Sequence, residues 1–152
     1  MREQIRSLVM FFIVLTMTVL VIASIHDIRK KEISFWMLSA CGSIAVLTSA
    51  VGIMDGVKTW EECFLAIVPG VLLLLIAYVS RQGIGYGDGF LVLAVGPVFG
   101  FEQIFTGVCL AFGISAVFSI GMIVFAKAGR KSSFPFIPFL TSAMGVILLA
   151  AK

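Results

Sequence analysis

The sequence predicts an all-α, polytopic membrane protein with about six transmembrane helices. Three observations predict it. Of 152 residues, 61% are hydrophobic and 12% charged, where an ordinary soluble domain carries about 25% charge. Mean hydropathy is +1.16, and eleven Lys/Arg with eight Asp/Glu are too few to coat a soluble exterior. The charges also gather in short clusters, with long uncharged runs between them. A chain patterned this way is solvated by a lipid bilayer.

A helix crossing the bilayer needs about 20 apolar residues. Apolar runs lie at roughly 8–26, 34–53, 64–80, 89–101, 104–126 and 134–151. The breaks between them hold the charge, at 27–32, 55–62, 81–88, Glu102 and 127–131. The first run follows Arg2 and Arg6, as in a secretory signal. It is longer than a signal's apolar region and no A-x-A-like site follows, so a retained first span is expected. The fourth run is short and interrupted by Gly96-Pro97, which is tolerated where a helix packs against protein or lines a polar cavity. One domain over 1–152 accommodates all six.

Six spans put both termini on one side. The connections after spans one, three and five hold Arg29, Lys30, Lys31, Arg81, Lys127, Arg130 and Lys131; the other side holds Arg2, Arg6, Lys58 and Lys152. Seven basic residues against four make the first group cytoplasmic. Trp36 and Trp60, at span ends, read as interface anchors. Gly42, Ser43, Gly70, Gly96, Gly100, Gly107, Gly113, Gly121 and Gly145 lie inside or at the ends of the spans, where small residues mark close helix–helix packing. Cys41, Cys63 and Cys109 form no C-x-x-C pair, so they read as small packing residues and no metal or cofactor is expected. A net charge of +3 gives no reason to expect nucleic acid.

Two acids stand out against this background. Asp27 falls at the cytoplasmic end of span one, and Asp88 where the connection from span three enters span four. Ionisable groups near hydrocarbon are costly, and their default reading is functional. Asp27 taken alone reads equally well as an interfacial acid solvating the basic stretch 26–32. Asp88 is flanked by Gly83, Gly85, Gly87 and Gly89, whose backbone is free to adopt positive φ and to admit close neighbours. The stretch has no Lys-Ser/Thr of a phosphate-binding loop. Two carboxyls meeting at a water–lipid boundary share a proton, because like charges in one site do not both ionise. One then activates water while the other polarises a peptide carbonyl, giving hydrolysis without metal or covalent intermediate.

Three motifs in order resemble the type IV prepilin peptidase family, the GxGD-type aspartic peptidases that include short Flp-pilin and archaeal preflagellin peptidases. Gly85-Tyr86-Gly87-Asp88 matches G-x-G-D. Asp27-Ile28-Arg29-Lys30-Lys31-Glu32-Ile33 is similar to the first-aspartate motif, and Phe134-Pro135-Phe136-Ile137-Pro138-Phe139 resembles the P-F-x-P-F element before the last span. Ser34 stands where the family often has Pro, and Phe90 where it often has Lys. The cysteine-paired cytoplasmic insertion of longer members is absent, as in the short forms that process Flp-type pilins. The resemblance implies an inner-membrane endopeptidase with Asp27 and Asp88 as catalytic acids. It would remove basic leaders from prepilin or pseudopilin precursors at the cytoplasmic face. Apart from the resemblance, the backbone of Gly85, Gly87 and Gly89 is expected to meet the extended leader. A presenilin-like protease shares G-x-G-D but would need more spans. The non-enzymatic alternative is a small transporter or pilus-assembly protein whose acids bind a proton or cation.

Overall fold

The computed structural model describes residues 2–30, 34–80, 85–126 and 136–150. They form six helices: α1 (Arg2–Lys30), α2 (Phe35–Met54), α3 (Trp60–Val79), α4 (Tyr86–Phe99), α5 (Phe101–Ala126) and α6 (Ile137–Ala150). All six expected spans are helical, and no strand occurs among the described residues. Four are long and apolar enough to cross a membrane, while α4 and α6 have 14 residues each. At 1.5 Å per residue a 14-residue helix is about 21 Å long, short of a hydrocarbon core of about 30 Å.

The shortness of α4 is explained by its place. It packs against α1, α2, α3 and α5, and Leu91, Val92, Val95 and Val98 are fully or almost fully buried. A helix enclosed by protein does not need to span lipid. The outer faces are apolar too: Phe11 and Ile22 on α1, Val46 on α2, Phe64 and Leu75 on α3, and Val117 and Val124 on α5 are exposed. An apolar core inside an apolar exterior is stable only where the solvent is lipid. Trp36 and Trp60 are 83% and 67% exposed at the first turns of α2 and α3, at opposite ends of the bundle, as interface anchors require.

Close helix approach occurs at some of the expected small residues. A Cβ at Gly70 would strike the backbone of Leu93, one at Gly96 the Ala66 carbonyl oxygen, and one at Gly107 the Met144 sulfur. Gly42, Gly113, Gly121 and Gly145 have open space where a Cβ would stand. Small size alone therefore does not identify a packing face; partner position decides it. Of the cysteines, Cys41 is buried in the core, whereas Cys109 is exposed.

The Gly96-Pro97 pair does not interrupt α4, which continues through both to Phe99. Lys58 helps to hold that end. Its ammonium donates to the carbonyls of Pro97 (2.7 Å) and Val98 (3.4 Å), placing a cation at the negative end of α4. Burial pushes the Lys58 pKa below the ordinary lysine value. The next helix then starts at a capping box, in which Thr59 and Glu62 each accept the other's backbone N–H.

α4 stops at Gly100, whose φ of 89° and ψ of 163° lie in a region open essentially to glycine alone. A single residue thus turns the chain from α4 into α5. Because nothing lies within 4 Å of a Cβ built there, Gly100→Ala isolates the backbone cost. Thermal unfolding in detergent is expected to show a loss of about 1–3 kcal/mol; an unchanged midpoint would mean that the turn relaxes freely.

Candidate active site

The alternating helices bring the end of α1 and the starts of α2, α4 and α6 to one end of the bundle. Lys58, Trp60 and Gly100 mark the other. Both aspartates fall at the first end. Asp27 is in the last turn of α1 and Asp88 in the first turn of α4. Their carboxyls are near enough to act on each other electrostatically. The fold thus brings together two acids 61 positions apart, as the sequence reading expected.

Asp27 is only 6% exposed. It sits one turn above Ser24, on the face of α1 that meets α6. Ile137, at the start of α6, and His26 lie near its carboxyl. Asp27 Oδ2 is buried with no hydrogen-bond partner among the described residues. A buried carboxyl oxygen without a partner is costly.

Asp88 is half-buried, and its own N–H bonds to the Gly85 carbonyl at 3.1 Å. Gly85 is the residue preceding α4, with extended backbone at φ −65°. The positive φ expected of this glycine-rich stretch is therefore not used at Gly85, since any residue adopts that conformation. Its hydrogen matters instead: a Cβ there would lie 3.2 Å from Asp88 Oδ2. Gly87 is half-buried in the first turn of α4. Gly89 is buried, and a Cβ would meet Leu74 Cδ2 at 2.8 Å, so this glycine seats α4 against α3.

Of the remaining motif residues, Ser34 precedes α2 with φ −68°, the value that proline would impose. Replacing the family's proline thus leaves the backbone path intact. Phe90, in the family's lysine position, is exposed and lines an apolar groove of about 630 Å³ between α2, α3 and α4. Neither aspartate lines that groove. Lys31, Glu32, Ile33, Arg81, Gly83, Lys127, Arg130, Lys131, Phe134 and Pro135 lie outside the described residues.

The sequence reading did not place the start of α6 beside Asp27. It also missed Ser24 and Thr141, whose hydroxyls meet at 2.7 Å one turn below Asp27. Pro138 was the available signal, because proline in a first turn marks a helix start and with it a set of free N–H groups.

A family model described as the type IV leader peptidase family matches residues 14–150. No curated protein and no solved structure matches the chain.

Proposed function

The chain belongs to the type IV leader peptidase family, and from that premise we propose that Asp27 and Asp88 are its catalytic pair. The observation that carries the reading is the convergence of both carboxyls at one end of the bundle, within electrostatic reach. The pair holds one proton between them. The ionised member takes a proton from water, the protonated member polarises the scissile carbonyl, and the tetrahedral intermediate collapses with proton return to the leaving amine. The two acids act as one titrating unit.

The substrate is a prepilin or pseudopilin precursor whose apolar helix lies in the bilayer beside the spans. Its basic leader meets the aspartates at the cytoplasmic face of the inner membrane, in a single peptidase domain spanning 1–152. The excess of basic residues in the connections at this end supports that orientation. The leader must unwind to expose its carbonyl. Gly85, exposed, and Gly87, half-buried, offer backbone groups for an extended segment. Gly89 supports them from below by letting α3 approach.

Co-expression with a precursor carrying a basic leader, a glycine and an apolar helix tests this. The wild type is expected to convert the precursor to the shorter form, and Asp27→Asn and Asp88→Asn each to leave it intact at equal membrane abundance. Processing by either variant at the wild-type rate would sink the assignment.

A further inference from the structure

We infer that Ser24 and Thr141 are positioning residues for Asp27: their hydroxyls lock α6 in one register against the last turns of α1, and so fix where that carboxyl stands. The inference rests on the reading of Asp27 as a catalytic acid. It goes further in giving a task to two buried hydroxyls and to the last helix.

A serine or threonine inside a helix ordinarily gives its proton to its own preceding turn. Thr16 and Thr48 do so, on the carbonyls of Phe12 (2.8 Å) and Ile44 (2.7 Å). Ser24 and Thr141 reach further. Ser24 Oγ is 2.9 Å from the Leu20 carbonyl and Thr141 Oγ1 2.9 Å from the Ile137 carbonyl, yet the two hydroxyls also stand 2.7 Å apart across the interface. Thr141 Oγ1 lies 3.4 Å from the Leu20 carbonyl of the other helix as well. Two hydroxyls carry two protons between them. At 2.7 Å one proton lies between the oxygens, and the hydroxyl that receives it gives its own to a carbonyl. Whichever hydroxyl is the donor, one bond joins the helices and both groups are satisfied. Ser24 is buried, as are Leu20, Ala23 and Leu140 beside the pair, and a hydrogen bond in such surroundings is stronger than one in water.

The place of this bond decides what it does. Ser24 lies three residues before Asp27, so the two side chains stand one turn apart on one face of α1, and both are buried there. α1 meets α6 more extensively than it meets α2 or α4. Its position relative to Asp88 on α4 is therefore set in large part through α6. That helix is anchored in turn on α5. Phe136 packs on Phe112 with ring centroids 5.0 Å apart, and Phe139 on Phe118 at 5.5 Å. α5 itself packs on α3 and α4. A chain of contacts thus runs from α4 through α5 and α6 to Ser24, and ends one turn from Asp27. Apolar packing is non-directional, whereas a hydrogen bond weakens steeply with misalignment. The hydroxyl pair is the link in that chain that selects one register of α6 on α1.

Ser24→Ala and Thr141→Val each remove one hydroxyl of the pair. Thr16→Val is the control, because Thr16 is fully buried on the same helix and its hydroxyl bonds to its own turn. Turnover of a synthetic precursor with a basic leader would be measured in detergent across pH, alongside Asp27→Asn. Ser24→Ala and Thr141→Val are each expected to lose about 10- to 100-fold in kcat, the scale of a misplaced catalytic group, with KM unchanged. Their double variant should lose no more than either alone, since the same bond is missing in all three. Thr141→Ser keeps the hydroxyl and is expected to restore turnover. The bell of kcat against pH should narrow in both single variants, because carboxyls held less closely drive their apparent pKa values less far apart. Thr16→Val should keep the wild-type kcat and bell even where its unfolding midpoint falls. Wild-type kcat with an unchanged bell in folded Ser24→Ala and Thr141→Val would overturn the inference, as would equal losses in Thr16→Val. If those two variants do not fold, Ser24→Cys fills the same place with a weak donor; a loss of kcat is again expected, and full turnover would overturn the inference. An active Asp27→Asn would instead remove the catalytic reading itself, so the two failures are distinct.

Discussion

The double variant Asp27→Asn/Asp88→Asn is expected to process precursor no more slowly than either single variant. In the proposed mechanism the two acids share one proton and one water and act as a unit, so removing either member removes the reaction path. Losses from such units are far from additive. Each single variant is expected to drop kcat/KM by about 10³-fold or more, the upper part of the range for general acid–base groups and the proton-sharing that depends on them. The double should fall at that same floor. Multiplicative losses, near 10⁶-fold, would mean that the two acids contribute independently. Precursor binding provides a second readout. A precursor crosslinked through its apolar helix should still be captured by all three variants, because in the proposed mechanism the acids act at the leader junction and not along the membrane helix. A transporter using the acids for a cation would show neither behaviour.

Much of this arrangement was legible in the sequence, because lipid imposes a simple code. Long apolar runs must be helices, and charge clusters must be connections, so six elements and the end of the bundle holding both aspartates follow from counting along the chain. What was not legible depends on who packs against whom. The fourth run looked weak by length and by its Gly96-Pro97 pair, yet α4 is the most enclosed helix, and its shortness reflects that burial. Gly113 and Gly145 look like Gly96 in sequence, but only Gly96 meets another backbone. At the site, Asp88 and its glycines were visible as residue types. The nearness of the α6 start to Asp27 was not, since it depends on how α1 and α6 pack. Ser24 and Thr141 look like ordinary hydroxyls, because a serine or threonine within a helix usually bonds back to its own turn, as both do here.

Replacing Gly70 or Gly96, where α3 and α4 meet backbone to backbone, is expected to damage the fold more than any other single methyl in these helices. At Gly96 the added Cβ would overlap the Ala66 carbonyl oxygen, and at Gly70 it would overlap the backbone of Leu93. Neither obstacle is the end of a flexible side chain, so one helix must shift. Overpacking a close-packed interior costs about 1–3 kcal/mol, and a backbone obstacle places both variants at the top of that range. Gly113→Ala and Gly145→Ala add the same methyl into open space. There the better helix propensity of alanine is expected to stabilise by about 0.5–1 kcal/mol. Unfolding midpoints in one detergent would check the opposite signs. The damage should also reach the chemistry. Any shift of α4 away from α3 moves its first turn, and Asp88 with it, relative to Asp27 on α1. Folded Gly96→Ala is therefore expected to lose kcat while Gly113→Ala keeps it. A Gly96→Ala protein with wild-type stability and turnover would mean that α3 and α4 do not hold this spacing, and that the second aspartate is positioned by something other than the helix packing.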